Sequence, residues 1–556
     1  MAKTLHTRIL SSLEKCFHDE AITDKPRLRK ASMLKNERYS FQLAMQLKEQ
    51  AGGEKQLVYL RVESALADYL ELRLVREVPS QFPCYGDAPK KEYLRTQPGL
   101  YPDLLEPLEP GREIPLLPGQ LRSIWLMVMP RAGMPLGKQP VTLALYDEGG
   151  RRLAQETLEL TIINASLPEQ KLAFTQWFHC DCLAVYYGVP VFSERHWEIL
   201  EQFLRTARRY GMNMVLTPVF TPPLDTAVGT ERPTVQLVDV TVEAEGYRFG
   251  FEKLDRWVGL CLRLGFERFE ISHFFTQWGA AHAPKVMAQV NGEMRRIFGW
   301  ETEAAGPEYT TFLHAFLDAL LPHLKALGID QKCSFHISDE PSEDNLDNYL
   351  AAKQIVAEQL KGYPIMDALS SYAFYEQGAV EHPIPANNHI EPFLTHNVPH
   401  LWTYYCCGQS NGVSNRFMAM PSANNRIIGV QFYKYGIEGF LHWGYNFYFS
   451  QLSRHAVNPF LVTDGDYMAP SGDEFSVYPA PDGTAWESLR LVVFHEALQD
   501  QRALELCEAL CGRETVMQLI EGELKKPVTF RQYPRKAAYL LKLRERINAV
   551  IAEYVQ

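Results

Sequence analysis

Between residues 39 and 163, apolar and polar positions tend to alternate over short stretches, at 39–47, 57–63, 69–75, 123–129, 141–146 and 157–163. A period of two sends alternate side chains to opposite faces, as in a half-buried strand. Turn-forming clusters separate the stretches: Gly52-Gly53, Gly86-Asp87, Pro110-Gly111, Pro118-Gly119 and Glu148-Gly149-Gly150. Short strands punctuated in this way predict a β-sandwich over residues 1–165. Residues 165–170 read as a linker.

From residue 171 the period changes. Short apolar runs alternate with longer helical stretches, the pattern of βαβ units. Strands are predicted at 172–179, 212–220, 268–275, 332–338, 363–370, 384–388, 400–406 and 439–445. Helices such as 194–210, 251–264, 309–327 and 345–360 fall between them. Ser193 is placed to cap the first helix, although His196 stands where a capping box needs Glu or Gln. Eight strand–helix units over about 280 residues fit a closed (β/α)8 TIM-type barrel, residues 171–455. The sixth strand is short and carries Pro385, and residues 279–306 form a long excursion of the kind that lines sites. Residues 456–556 combine a Gly/Pro/Asp-rich segment with helices at 485–511 and 534–554. Leu540, Leu543, Ile547, Val550, Ile551 and Tyr554 share one face of the last helix, read as packed on the barrel. The expected fold class is multidomain, all-β followed by α/β.

At 556 residues the chain exceeds a single core. Its net charge of -11 argues against nucleic acid or an anionic membrane as the main partner. No apolar run reaches the length of a membrane span. Residues 1–30 lack the apolar stretch of a secretory signal, and the ten cysteines form no paired CxxC framework. Reduced thiols and a cytoplasmic location are expected. Without an HExxH, a phosphate loop or a dinucleotide fingerprint, no metal and no cofactor are expected. The oligomeric state is left open by the sequence.

The segment His336-Ile337-Ser338-Asp339-Glu340-Pro341-Ser342 ends the fourth predicted strand in two adjacent carboxylates. Barrel strands carry reacting groups at their carboxyl ends, and paired acids suit glycosidic bond cleavage. Other strand ends are polar or aromatic too: Trp177 and His179, His273 and Trp278, Asp367 and Tyr372, Asn387, then Trp402, Tyr404 and Tyr405, then Trp443 and Asn446. One such residue is ordinary in a core. Their recurrence at one end of most strands is not, because buried polar atoms need partners. Trp278, Trp402 and Trp443 are candidate pocket walls, with Trp443 under the sugar ring. His273, Asn387 and Asn446 are candidates for hydroxyl contacts, Tyr404 or Tyr405 for an acetamido carbonyl, and Tyr372 is a further substrate contact.

Asp339 and Glu340 share a pocket only if the backbone leaves strand geometry there, which Pro341 favours. Carboxylates this close do not suit the nucleophile and acid of an ordinary retaining glycosidase, which stand roughly 5 Å apart across the bond. They suit substrate-assisted cleavage. One protonates the leaving oxygen, and the other orients a neighbouring group, such as a 2-acetamido group, whose oxygen attacks the anomeric carbon.

The Asp339-Glu340-Pro341 strand end is joined by two further motifs, Tyr101-Pro102-Asp103-Leu104-Leu105-Glu106-Pro107-Leu108 and Gly439-Phe440-Leu441-His442-Trp443-Gly444-Tyr445-Asn446. Together they resemble glycoside hydrolase family 123 and the broader group carrying the uncharacterised domain numbered 4091. The resemblance implies an N-terminal sandwich, a catalytic barrel and exo-acting β-N-acetylgalactosaminidase activity on a small oligosaccharide or glycoside, through an oxazoline intermediate. It implies Asp339 as the acetamide-polarising residue, kept ionised, and Glu340 as the acid/base. The chain keeps Ser488-Leu489-Arg490 of the family pattern and departs from it at Ala480 and over 492–497. Two other readings remain. One is a glycosidase for a sugar without an acetamido group, with a nucleophile such as Asp367. The other is a non-catalytic carbohydrate-binding protein on a barrel scaffold.

Overall fold

The structure is a computed structural model and describes residues 4–48, 53–341 and 343–555. Gly52 of the first turn signal and Ser342 of the acidic segment lie outside the described residues. The chain forms two compact units, one from residues 1–170, 411–434 and 486–556, the other from 171–410 and 435–485. The units interleave in sequence, where the reading above divides the chain linearly at 165 and 455.

Among the described residues, ten strands build the two large sheets of the first unit: β1 (Leu5–Ser11), β2 (Lys30–Leu34), β3 (Tyr39–Leu47), β4 (Gln56–Glu63), β5 (Leu70–Ser80), β6 (Gly99–Pro107), β7 (Ile114–Leu116), β8 (Leu121–Val128), β9 (Gly137–Tyr146) and β10 (Arg152–Ile163). They make two five-stranded sheets, β1-β3-β8-β5-β6 and β2-β10-β9-β4-β7. Leu43, Met45 and Leu126 from the first sheet share a buried cluster with Leu143, Leu145 and Leu160 from the second. The alternation read from the sequence is the inward face of this sandwich. β6 escapes that reading because its middle, Tyr101 to Leu105, is buried without alternation.

The helices Leu489–Cys511 and Ala537–Tyr554 belong to this unit. Arg544 Nη1 donates to Asp500 Oδ1 at 2.8 Å, and Asn548 Nδ2 donates to the Ser32 carbonyl of β2 at 3.1 Å. The expected seat of the last helix on the barrel is therefore corrected to a seat on the β-rich region. Among the described residues no helix is long and apolar enough to cross a membrane.

The second unit holds β11 (Ala173–Gln176), β12 (Met214–Thr217), β13 (Asp239–Glu243), β14 (Gly246–Gly250), β15 (Arg268–Ile271), β16 (Val286–Val290), β17 (Glu293–Phe298), β18 (Cys333–Phe335), β19 (Met366–Leu369), β20 (His382–Pro385), β21 (Trp402–Tyr404) and β22 (Gly439–His442). β13, β14, β16 and β17 form a separate sheet, partly within the long excursion. The other eight fall at the eight predicted positions, with helices such as Glu194–Arg209, Glu252–Leu264 and Pro307–Ala326 between them. Ser193 caps the first of these helices by accepting from His196 N at 3.3 Å.

A continuous closed ladder is not formed among the described residues. The parallel strands pair in three groups, β11-β22-β21, β12-β15-β18 and β19-β20. Single bridges join Phe335 to Ile365 and Ala386 to Tyr404. Two physical causes are visible. Pro383 and Pro385 deprive β20 of ladder donors. Between β11 and β12 the Asn213 side chain replaces a backbone partner, its Oδ1 accepting from Phe174 N at 2.8 Å. Where β21 meets β22, Gly439 admits the Trp402 ring; an added Cβ would stand 2.0 Å from it.

Candidate active site

The ends of these strands open into a cleft of about 680 Å³, its mouth included. Asp339, Glu340, Trp278, Tyr404 and Trp443 line it, so five of the predicted site residues come together. The chain leaves β18 as expected. Glu340 has φ +44°, a left-handed conformation rare for a residue with a Cβ. That turn brings two consecutive carboxylates to one cavity. A facing loop is equally unusual: Trp278, Gly279 and Ala280 have φ of 59°, 131° and 51°. Trp278 N donates to the Asp339 carbonyl at 3.0 Å, and Asn345 Nδ2 donates to the Trp278 carbonyl at 3.1 Å. A Cβ on Gly279 would lie 2.8 Å from Asn345 Cγ, so glycine is required there. The Trp278 side of the loop stays 51% exposed at the cleft.

Tyr404 Oη donates to Glu340 Oε1 at 2.7 Å. Burial, and next the charge of Glu340, hold the Asp339 carboxyl well above the usual range. Burial thus works against the ionised Asp339 expected from the sequence. Trp443 is fixed by its Nε1, which donates to Asp473 Oδ2 at 2.8 Å; the same oxygen accepts from Cys407 N at 3.0 Å.

The remaining predicted site residues lie outside the cleft lining. His273 is buried and stacks on His336, ring centroids 4.3 Å apart. Neither His273 ring nitrogen has a hydrogen-bond partner among the described residues. Burial, and next His336, keep it well below the ordinary imidazole pKa. Trp402 is core, seated over Gly439. Tyr405 is on the opposite face of its strand from Tyr404 and packs on Phe440 and His442. Asn387 N donates to the Tyr404 carbonyl at 2.9 Å. Asn446 brackets the backbone of His179, its Oδ1 accepting from His179 N at 2.9 Å and its Nδ2 donating to the carbonyl at 3.0 Å. Tyr372 stacks on His396 beside a short helix. Asp367, the alternative nucleophile, is fully buried and accepts from Tyr349 Oη at 2.5 Å.

Beneath the cleft lies a buried charge network. Glu270 accepts from Trp177 Nε1 at 2.6 Å and from Thr175 Oγ1 at 2.7 Å. His336 stands between Glu270, 2.8 Å from its Nε2, and Asp367, 3.1 Å from its Nδ1. Burial opposes the imidazolium, but hydrogen bonds to Asp367 and Glu270 outweigh it and hold His336 up to about 10. This bridging cation fixes Trp177, a cleft wall. His273, His336 and Asp367 bring potential ligand atoms within 4.8 Å of one another. The stacked rings and the two carboxylate bonds of His336 fit an imidazolium bridge better than a metal centre, because ring lone pairs lie in the ring plane.

Trp177 and His179, named above as strand ends without a role, line the cleft too, and further cleft residues escape the sequence reading. His179 is held neutral, at about 3, by burial and next by Arg232. Its Nδ1 accepts from Arg232 Nη2 at 3.1 Å, so its Nε2 donates to the Trp443 carbonyl at 2.9 Å. Asp225 has φ +41° and burial lifts it to about 6. Its signal was the Pro222-Pro223 break just past β12. Cys406, Cys407 and Met468 also line the cleft. Met468 lies in an irregular segment that carries no periodicity to read.

The family described as "Glycoside hydrolase 123, catalytic domain" matches residues 177–507. No curated protein sequence matches the chain. Among solved structures, a family 123 glycoside hydrolase from Clostridium perfringens, studied for glycolipid glycan hydrolysis, aligns over 99% of this chain and 98% of that one, with TM-score 0.75 and 15% identity. That likeness shows a shared multidomain α/β fold with a β-rich N-terminal region. A Parabacteroides merdae β-glucuronidase aligns over 89% of this chain and 51% of that one at TM-score 0.30 and 10% identity, too low to carry weight. The family match spans more than half of the chain and includes both carboxylates of the cleft, so this protein belongs to glycoside hydrolase family 123.

Proposed function

We propose that the protein is an exo-acting, retaining β-N-acetylhexosaminidase, with terminal N-acetylgalactosamine as its sugar. The observation that carries the reading is the Asp339–Glu340 pair turned into one cleft, with Tyr404 on Glu340. The eight short parallel strands are read as the staves of a (β/α)8 barrel with an interrupted ladder. Glu340 protonates the leaving oxygen while the acetamido carbonyl oxygen attacks the anomeric carbon, giving an oxazoline. Asp339 accepts the acetamido N–H. Burial and the Glu340 charge raise Asp339, which favours one shared proton on the pair. The arriving N–H favours Asp339 as carboxylate and leaves that proton to Glu340. Glu340 then deprotonates the water that opens the oxazoline, and the β configuration is retained. With no disulfide among the described residues, the ten cysteines suit a reducing compartment, so we place the enzyme in the cytoplasm, acting on short oligosaccharides or glycosides.

Matched aryl β-glycosides of N-acetylgalactosamine, N-acetylglucosamine and galactose, assayed with wild type and Glu340→Gln, test this. Turnover confined to acetamido sugars and lost in the variant is expected. Hydrolysis of the plain galactoside would favour a second reading, in which Asp225 supplies the nucleophile. Asp225 lines the cleft, whereas Asp367 does not.

A further inference from the structure

Two thiols on adjacent residues face the same cleft. Cys406 and Cys407 follow β21, both are partly exposed, and both line the cavity. A hydrogen bond to Cys407, and next burial, push the Cys406 thiol well above its ordinary range, which keeps it protonated. The proposed chemistry assigns them no task. Their backbone is tied to the sugar pocket, however. Cys407 N donates to the Asp473 oxygen that also holds Trp443 Nε1, at 3.0 and 2.8 Å. Cys406 N donates to Gln409 Oε1 at 2.8 Å, which fixes the turn.

We infer that Cys406 and Cys407 form a dithiol modification site that reacts with low-molecular-weight disulfides and, once oxidised, releases Trp443 from its working position. Cys407, as thiolate, attacks a sulfur of the small disulfide. A mixed disulfide forms, and the first small thiolate leaves and takes up a proton. The neighbouring thiol loses its proton and attacks the protein-side sulfur, closing the protein S–S bond and expelling the second small thiol. Two protein thiols are oxidised and one small disulfide is reduced to two thiols.

The coupling to the pocket is geometric. Neighbouring Cα atoms are about 3.8 Å apart across a trans peptide. Disulfides usually span about 4.4–6.8 Å between Cα atoms. Closing the bond therefore twists the 406–407 peptide, and its N–H is the group bound to Asp473. A strained disulfide is also readily reduced, so the change reverses when thiol returns.

This inference rests on the cleft being the active site, so its test has readouts besides activity. The full chain is exposed to hydroxyethyl disulfide, quenched with iodoacetamide and mapped by mass spectrometry, with tryptophan fluorescence and glycoside turnover recorded in parallel. The peptide carrying both cysteines is expected two hydrogen atoms lighter. Fluorescence should change and turnover fall by about tenfold, the order expected for a displaced substrate-positioning group, with dithiothreitol restoring both. Cys406→Ser should stop at a mixed disulfide on Cys407, and Cys407→Ser should take up little of the small thiol. The double variant should show the same treated-to-untreated ratio as a mock reaction. Recovery of both cysteines fully alkylated, or a bond only between Cys507 and Cys511, overturns the site. A bond at 406–407 that leaves fluorescence unchanged overturns the coupling. If the untreated enzyme cleaves no glycoside, the functional reading fails while mass and fluorescence still decide this one.

Discussion

Arg490 and Asp103, 387 positions apart, meet in a two-pronged ion pair: Nε to Oδ1 and Nη2 to Oδ2, both 2.9 Å. Both side chains are buried. They come from two of the motifs that mark the family in sequence, and neither lines the cleft. The preserved Arg490 is thus a fastening within the β-rich unit. Arg490→Ala leaves a buried carboxylate without its partner. A loss of about 3–5 kcal/mol is expected in denaturant unfolding. KM of the surviving folded enzyme should stay near wild type.

Glu340 and Asp339 have separable tasks in the proposed mechanism, and leaving-group chemistry separates them. A good leaving group such as dinitrophenolate needs little protonation. Glu340→Gln should lose about 10²–10⁴-fold on an alkyl-type leaving group and recover most of it on the dinitrophenyl glycoside. Asp339→Asn should lose turnover on both, because the acetamido attack is impaired whatever departs. Equal rescue of the two variants would undo the assignment.

Tyr404 donates to Glu340 and touches no other carboxylate among the hydrogen bonds described. Removing its hydroxyl leaves the cleft shape nearly intact, since the ring remains in the core cluster. Tyr404→Phe should lower kcat by about tenfold with a smaller change in KM, consistent with loss of one charge-assisted hydrogen bond. Parallel loss in KM alone would instead make Tyr404 a sugar contact.

Most of what positions the site was legible in the sequence. The eight apolar runs gave all eight parallel strands because each run is bounded by polar ends. Asp339, Glu340, Trp278, Tyr404 and Trp443, all read at strand ends, meet in one cleft because strand-end position is a one-dimensional signal. The misses have a common cause. Position at a strand end does not say which way a side chain points, so Tyr405 was grouped with Tyr404 although they face opposite sides. Asn446 looks like a sugar ligand in sequence, but its side chain brackets the His179 backbone. The closed ladder was inferred from strand count, which is blind to the prolines of β20 and to Asn213 at the seam. Asp225 and Met468 reach the cleft from loops, where no period exists to read.

His336 makes the support beneath the cleft pH-dependent, and the sign follows from its pKa. The folded value, about 10, lies above the ordinary imidazole value. Its contribution is therefore complete below about pH 6.5 and is lost as pH rises through the folded value. Asp367 is raised by burial, and its carboxylate depends on the His336 and Tyr349 hydrogen bonds. Glu270 likewise keeps a partner on each oxygen. His336→Gln retains a donor but no charge, leaving two buried carboxylates facing a neutral amide. A destabilisation of about 3–5 kcal/mol at pH 6 is expected. The gap to wild type should narrow towards pH 10, where the wild-type imidazolium is itself discharged. Urea unfolding of both proteins at pH 6, 8 and 10 checks this. A gap that stays constant across the series would mean that His336 is neutral in the folded protein and that Trp177 is held by Glu270 alone.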